Sequence, residues 1–468
     1  MTAGALTALV PAGEVAVIGL GASGMAAARL LARAGARVYV SDAGRGDRVA
    51  QAAATLRAEG IEAEGGRHDL ERIARAGSVV VSPGVPPTAP PVAAALARGI
   101  PVVSEVDLAL RALPALSYIA TTGTNGKTTV TALIGHLLRA VGQDAVEAGN
   151  IGTPLAEIAM RPTPPVWASL ELSSFQLHDT PSVAPKVAVL TNLSPDHLDR
   201  YDSVDAYYGD KMRLFANATA DSIRVVNGDD PEVMRRTAGI AGRALRFSLT
   251  DATAEAWHDR AHDRLMLAGA PLVARADLHL LGDHNVANAL CAALAVWAAD
   301  PAHQTPDARA QLAEGLRTFR AIPHRVEPVG EVAGVLWVND SKATNVGAAR
   351  VALEGMTRPV ILLLGGRHKG EPYTGLLEGI RAHGKAVLAY GEAAAQVVAD
   401  LAAHLPPHVP VERLGSSFED VIARARALAV PGDVVLLAPA CSSYDMFTDY
   451  QHRGETFRRL ALGDALGA

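Results

Sequence analysis

The sequence predicts an α/β protein of three domains, and three observations carry that expectation. At 468 residues the chain exceeds what one hydrophobic core ordinarily organises. Short β-branched runs alternate with helical segments of about 10–15 residues, the pattern of βαβ units and parallel sheets. Two glycine-rich turns, Gly19–Gly24 and Gly123–Thr129, each stand between a strand-like run and a helix-like one.

The strand-like runs fall into three groups. "VAVIG", "RVYVSD" and "SVVVSPG" lie within residues 1–106. "LSYIAT", "VWASLELS", "KVAVLTN" and "IRVVNGD" lie within 107–321, and "VLWVND", "PVILLLGG", "KAVLAYG" and "DVVLLAPA" within 322–468. "PPTAPP" at 86–91 reads as a rigid loop.

Composition narrows the function classes. With 49% apolar and 20% charged residues the chain reads as soluble and globular, and a net charge of −6 argues against a nucleic-acid-binding surface. Two cysteines, Cys291 and Cys441, cannot build a disulfide framework, which points to a reducing compartment. The N-terminal segment lacks a basic start and so does not read as a signal peptide, and no uncharged apolar run is long enough for membrane insertion. The expectation is a cytoplasmic protein.

Gly19, Gly21 and Gly24 give G-x-G-x-x-G after a strand and before a helix, where glycine lets the backbone turn tightly and approach a diphosphate at the helix N-terminus. Asp42 closes the next strand, where a ribose-binding acid would lie. Alone, this pattern suggests an NAD-dependent oxidoreductase, or a tight turn with no ligand. The second turn, "GTNGKTT" (Gly123, Thr124, Asn125, Gly126, Lys127, Thr128, Thr129), reads as a loop for a nucleoside triphosphate. Its backbone N–H groups would cradle phosphates, Lys127 would reach the β- and γ-phosphates, and the Thr128 hydroxyl suits Mg²⁺. A strict match would have glycine where this chain has Thr121.

Glu171 and His197 fall just past predicted strands, at the carboxyl edge where open α/β sheets bind ligands, and Lys211 follows in "YYGDK". Asp196, His197 and Asp199 crowd one segment, but their spacing fits no zinc pattern. A hard cation held largely through ATP is the better reading. Cys441 reads as a small buried residue and not as a nucleophile.

"GTNGKT", "ELSSFQL", "DHLDRY" and the lysine of "YYGDK" stand in the order and spacing of the Mur ligase family, which the chain resembles over nearly its whole length. "GDHNVANALCA" at 282–292 and "IPHRVE" at 322–327 extend the resemblance. "NDSKATN", "LLLGGRHKG" and "LAPACSSYDMFTDYQHRGETF" narrow it to the branch that adds D-glutamate. The resemblance implies a dinucleotide-binding-like N-terminal domain, a central P-loop ATPase-like domain with a parallel sheet, and a C-terminal Rossmann-like α/β domain. It also implies ATP-dependent ligation of D-glutamate to UDP-N-acetylmuramoyl-L-alanine through an acyl phosphate, in peptidoglycan precursor synthesis. ATP and two Mg²⁺ ions are the implied cofactors, and a monomer the implied state.

The resemblance assigns roles residue by residue. Lys127, Glu171, His197 and Lys211 are the catalytic group, and Thr128, Glu171, His197 and a carbamylated Lys211 the metal group. Asn288, Arg325 and Asp340 join the second loop in holding ATP. Gly19, Leu20, Gly21, Ser23, Gly24, Asp42, Gly84, Asn150, Ser173 and Gln176 take the UDP-sugar. Lys342, Thr344, Lys369, Ser443 and Tyr450 take D-glutamate. Where relatives carry threonine and arginine after the acid at 42, this chain has Ala43 and Gly44, with Arg45 next, so the contacts to uracil stay open. Because these sites lie on three domains, closure on substrate binding is a further expectation. A folylpolyglutamate synthase-like ligase would not need the first domain, and a catalytically silent UDP-sugar-binding protein would not need Lys127, Glu171, His197 and Lys211.

Overall fold

A computed structural model describes residues 12–197 and 200–463. The chain divides into two compact units: the described residues up to Ala274 together with Asn288–Leu316, and Arg275–Ala287 together with Arg317 onward. The first unit holds two sheets and the second holds one.

The first sheet contains β1 (Glu14–Ile18), β2 (Arg37–Asp42), β3 (Glu62–Gly65), β4 (Ser78–Val81) and β5 (Val102–Ser104), all parallel, in the order β3-β2-β1-β4-β5. Strand order reverses at β1, so the turn after it opens between the ends of β2 and β4, where open sheets hold ligands. Val15, Val17 and Val40 are buried, as expected of strands covered on both faces.

The second sheet contains β6 (Ser117–Thr122), β7 (Ala145–Gly149), β8 (Trp167–Glu171), β9 (Val187–Leu190), β10 (Ile223–Asn227), β11 (Arg243–Ser248), β12 (Ala256–Asp259), β13 (Arg264–Leu267) and β14 (Ala270–Ala274). Its order is β14-β13-β12-β11-β10-β9-β6-β8-β7. Because β6 lies between β8 and β9, the turn after it meets the residues that follow both neighbours. Helix Lys127–Ala140 leaves that turn, and its buried Val130, Leu133, Ile134, Leu137 and Leu138 form the stripe that seats it on the sheet.

The third sheet, in the second unit, contains β15 (Glu327–Val332), β16 (Val335–Asn339), β17 (Val360–Gly365), β18 (Gly384–Tyr390), β19 (Val411–Arg413) and β20 (Val434–Leu437), in the order β15-β16-β20-β17-β18-β19. All six residues of β17, "VILLLG", are buried.

Two features depart from purely parallel sheets. β12, β13 and β14 run antiparallel, as do β15 and β16. Both the β13–β14 and the β15–β16 hairpins turn on an Ala-Gly pair, Ala268–Gly269 and Ala333–Gly334, with positive φ at both residues. This is the handed two-residue turn that matches strand twist. Alanine in place of the usual asparagine or aspartate hides it in the sequence. "PPTAPP" is also only partly a loop, because helix Pro90–Leu96 begins within it and proline suits a helix's first turn.

Glu105 begins helix Glu105–Ala112 and is 1% exposed. Its Oε1 accepts the Ala156 N–H at 2.5 Å, and its Oε2 has no partner. Burial pushes its pKa from 4.5 up to about 7. The folded state therefore keeps a proton that the unfolded chain releases near pH 4.5. Its contribution is full below that pH and falls as pH rises to about 7, by up to roughly 3 kcal/mol. Glu105→Gln, which cannot ionise, is expected to unfold at higher denaturant than the unchanged protein at pH 8 and at nearly the same denaturant at pH 5. Equal differences at both pH values would refute the assignment.

Candidate functional site

The first glycine turn is built for close backbone approach. Gly19 has φ +107°, and a Cβ on Gly24 would stand 1.9 Å from the Gly19 carbonyl oxygen. Asp42, expected as a nucleoside contact, braces this turn: Oδ2 accepts the Leu20 N–H at 2.8 Å and Oδ1 the Gly44 N–H at 2.7 Å. Gly19, Gly21, Ser23, Asp42 and Gly84 line one cavity of about 640 Å³. Beneath the turn, the buried Ser82 Oγ makes no hydrogen bond.

The second turn is held open by the segment after β9. Gly123 has φ +145°, and a Cβ there would meet Thr191 Oγ1 at 2.0 Å. Thr191 Oγ1 and Asn192 Nδ2 donate to the Asn125 carbonyl at 2.6 and 3.0 Å, and the Asn125 N–H donates to Asn192 Oδ1 at 2.9 Å. Thr124 Oγ1 donates to the Ser194 carbonyl at 3.0 Å. Lys127 Nζ folds over the loop and donates to the carbonyls of Gly123 and Thr124 at 2.9 and 2.7 Å. Thr128 and Thr129 occupy the first helical turn, whose free N–H groups and dipole favour an anion. Asn288 abuts the loop, since a Cβ on Gly126 would lie 2.6 Å from its Oδ1.

Lys211 bonds this loop directly, and Glu171 lies close enough to act on the Lys211 charge. Glu171 ends β8, is 2% exposed, and accepts from Asn150 Nδ2 at 2.8 Å through Oε1, while Oε2 is buried without a partner. A buried carboxyl oxygen left so is costly unless a ligand completes it, and a carboxyl oxygen is the donor type that a hard cation takes. Lys211 is 1% exposed; its Nζ donates to the Gly123 carbonyl at 2.7 Å and sits 4.5 Å from the Tyr207 ring centroid. Burial, then the like charge of Lys127, hold its pKa well below the ordinary lysine value, against the pull of Asp196, Glu171 and Asp210.

His197 has φ +55°, and its ring packs edge-on against Phe175 and Tyr207 at 5.3 and 5.9 Å. Asp196 Oδ1 accepts the His197 N–H at 2.8 Å. Asp199 lies outside the described residues. Among those described, no group of three or more His, Cys, Asp or Glu is preassembled for a metal.

Ser173 and Gln176 form a capping box on helix Ser174–His178, with the Gln176 N–H donating to Ser173 Oγ and the Ser173 N–H to Gln176 Oε1. Gln176 Nε2 stays buried without a partner. Tyr207 was not singled out in the sequence, although its i,i+4 spacing to Lys211 could have revealed the pair.

In the second unit, Arg325 stands between two residues of positive φ, His324 (+65°) and Val326 (+43°). A β-branched residue there is strained, and it persists because its surroundings fix it. The Val326 N–H donates to Asp340 Oδ1 at 3.3 Å, and burial pushes the Asp340 pKa up to about 7. Lys342 Nζ lies 3.9 Å over the Tyr450 ring, a cation–π contact, and the Thr344 N–H donates to the Lys342 carbonyl at 2.8 Å. Ser443 is buried two residues beyond Cys441. The Cys441 thiol is 2.9 Å from the Tyr373 hydroxyl, and burial raises its pKa to about 11, the opposite of what a nucleophile needs. Lys369 acts on that thiol as a nearby positive charge.

Three family descriptions match in succession: the Mur ligase MurD-like N-terminal domain over residues 13–104, the Mur ligase middle domain over 121–296, and the Mur ligase glutamate ligase domain over 324–441. The chain is 39% identical over 454 residues to the UDP-N-acetylmuramoylalanine–D-glutamate ligase of Acidobacterium capsulatum, covering 96% of each chain. It is 42% identical over 454 residues to the enzyme of the same name from Chromobacterium violaceum, covering 95% of this chain and 96% of that one. Among solved structures, UDP-N-acetylmuramate-alanine ligase from Thermotoga maritima superposes with a TM-score of 0.59 at 18% identity, over 95% of this chain and 98% of that one. A pseudomurein peptide ligase from Methanothermus fervidus gives 0.55 at 20% identity, over 91% and 96%. These two bear on the fold alone. Full-length relatives near 40% identity, and family matches that take up the glycine turn, the Lys127 loop and the third sheet in turn, establish that the chain belongs to the Mur ligase family.

Proposed function

We propose that this protein is the ATP-dependent ligase that joins D-glutamate to UDP-N-acetylmuramoyl-L-alanine in peptidoglycan synthesis. The site observation that carries the reading is that Lys127 and the buried amine of Lys211 share one carbonyl of a phosphate-type loop, with the half-satisfied carboxyl of Glu171 near enough to act on Lys211. The substrate identity rests on the full-length relatives, which are D-glutamate ligases by name. The two glycine turns then divide the work: the first takes the diphosphate of the UDP-sugar, and the second takes the ATP that is consumed. Domain limits of 1–106, 107–321 and 322–468 suit this division.

A carboxylate is a poor electrophile, so amide synthesis needs activation. In the proposed reaction a substrate carboxylate oxygen attacks the γ-phosphorus of ATP and ADP leaves. The amine of D-glutamate attacks the acyl phosphate carbon, loses a proton, and the tetrahedral adduct expels phosphate. Enzymatic help consists of alignment and neutralisation of charge. Lys127 neutralises the transferring phosphoryl group. Thr128, Glu171, His197 and Lys211 as a carbamate would hold Mg²⁺, read as two ions, which when bound screens phosphate charge. Carbamate formation joins CO₂ to the neutral amine with loss of one proton, and the lowered pKa of Lys211 supports it. Asn288, Arg325 and Asp340 complete the ATP contacts, and Asn150, Ser173 and Gln176 the UDP-sugar contacts. Lys342, Thr344, Lys369, Ser443 and Tyr450 serve D-glutamate, whose two carboxylates suit paired lysines. We read the enzyme as a cytoplasmic monomer; no described helix is long and apolar enough to cross a membrane.

The test is phosphate release with ATP and UDP-N-acetylmuramoyl-L-alanine, comparing D-glutamate, L-glutamate and no amino acid. Release that needs both the UDP-sugar and D-glutamate is expected. Release with L-glutamate alone would overturn the stereochemical assignment, and no release from folded protein that binds the UDP-sugar would overturn the ligase reading.

A further inference from the structure

We propose that His68 reads the uracil of the nucleotide-sugar in the first glycine-turn cavity. This deepens the function proposed above and rests on it.

The polar side chains lining that cavity are Ser23, Asp42, His68 and Ser82. Both oxygens of Asp42 already accept a backbone N–H, from Leu20 and from Gly44. Ser82 Oγ lies under the turn itself, since Cβ atoms on Gly19 and Gly24 would stand 2.6 and 2.9 Å from it. Ser23 belongs to the first turn of helix Ala22–Arg33, the end suited to a diphosphate. His68 is different in position and chemistry. It follows β3, beyond Asp42 on the side of the cavity away from β4.

The imidazole is fixed at one end. His68 Nδ1 is 2.9 Å from Ser41 Oγ, a hydroxyl on β2 that is fully buried. Nε2 makes no hydrogen bond to the described residues, so one ring nitrogen is anchored and the other is available to the cavity. Burial lowers the ring's pKa, against the opposing pull of Asp42 and Glu64, and so favours the neutral ring. A neutral ring suits a neutral base. Uracil offers carbonyl oxygens on either side of an N–H, and the Ser41 hydroxyl can donate to or accept from Nδ1. Nε2 can therefore donate to a uracil carbonyl or accept its N–H, with Ser41 setting the tautomer. Val85, Ala89, Pro90 and Pro91 supply apolar wall in the same cavity. The two residues after Asp42, Ala43 and Gly44, carry no side-chain group able to make such bonds.

The test is calorimetric titration of UDP and CDP into the full-length protein and its His68→Ala, His68→Gln and Ser41→Ala variants, with KM and kcat for the UDP-sugar. The unchanged protein is expected to prefer UDP. His68→Ala should weaken UDP binding by about tenfold or more and remove the preference, raising KM while kcat stays within about twofold. His68→Gln, whose amide nitrogen reaches the Nε2 position, should recover most of the loss. Ser41→Ala should shift binding in the same direction, by a few-fold. UDP binding unchanged in His68→Ala, or UDP and CDP weakened equally, would overturn the inference. If the unchanged protein itself bound no UDP, the nucleotide-sugar reading would fall first and this inference with it.

Discussion

Lys127→Met is expected to lower the rate of substrate-dependent phosphate release by roughly 10³-fold while UDP-sugar binding changes by less than about twofold. Lys127 Nζ already lies across the mouth of its loop, donating to the carbonyls of Gly123 and Thr124. It therefore needs little rearrangement to meet an incoming phosphate, and its charge acts where charge builds up during transfer. Methionine keeps the length and removes the charge. Gly123 retains a second donor in Lys211, so the loop should hold its shape and the melting temperature should move little. The substitution also removes the like charge that helps depress the Lys211 pKa, so that amine should become harder to keep neutral. Steady-state rates, thermal melting and UDP-sugar titration would separate these effects. A rate within tenfold of the unchanged protein would remove Lys127 from phosphoryl transfer.

The parallel strands and both glycine turns were legible because their signals are local. "VILLLG" is a fully buried strand by composition, and Gly19 and Gly123 occupy backbone conformations that side chains rarely adopt. The β13–β14 and β15–β16 hairpins were not legible, since Ala268 and Ala333 give a left-handed turn no sequence signature. Site residues divide the same way. Lys127, Glu171 and Lys211 could be named from order and spacing, yet their bonds could not. The carboxylate of Asp42 turned out to brace the backbone of Leu20 and Gly44, and Ser173 and Gln176 cap a helix with each other. A short polar side chain at the end of a strand satisfies the nearest backbone donor as readily as a ligand, and only coordinates reveal which bonds it makes. Tyr207 and His68 were missed because an aromatic beside a lysine, or a histidine in a loop, gains meaning only from what the sheet brings next to it.

Lys211→Ala should abolish turnover, by about 10³-fold or more, and added formate or acetate should restore a measurable part of it. The amine of Lys211 is buried, and its principal bond is to a loop carbonyl, with an aromatic face beside it. Among the described residues Glu171 forms no salt bridge with it: Glu171 Oε2 has no partner, and its other oxygen is taken by Asn150. Keeping a full positive charge at such a position is unfavourable, which is the direction of its pKa. A neutral amine can take up CO₂, and the resulting anion would change the electrostatics of the loop from a cation beside a neutral amine to a cation beside a carboxylate-like group. Alanine leaves a void on the scale of the lost side chain, which a small carboxylate can enter. Lys211→Arg, which stays cationic and forms no carbamate, should be inactive and should not respond to formate. Carbon-13 labelled bicarbonate should give a carbamate resonance in the unchanged protein that disappears in both variants. Full activity in Lys211→Arg, with no carbamate resonance in the unchanged protein, would make Lys211 an ordinary buried cation that anchors Gly123 and leave Glu171 to organise the metal without it.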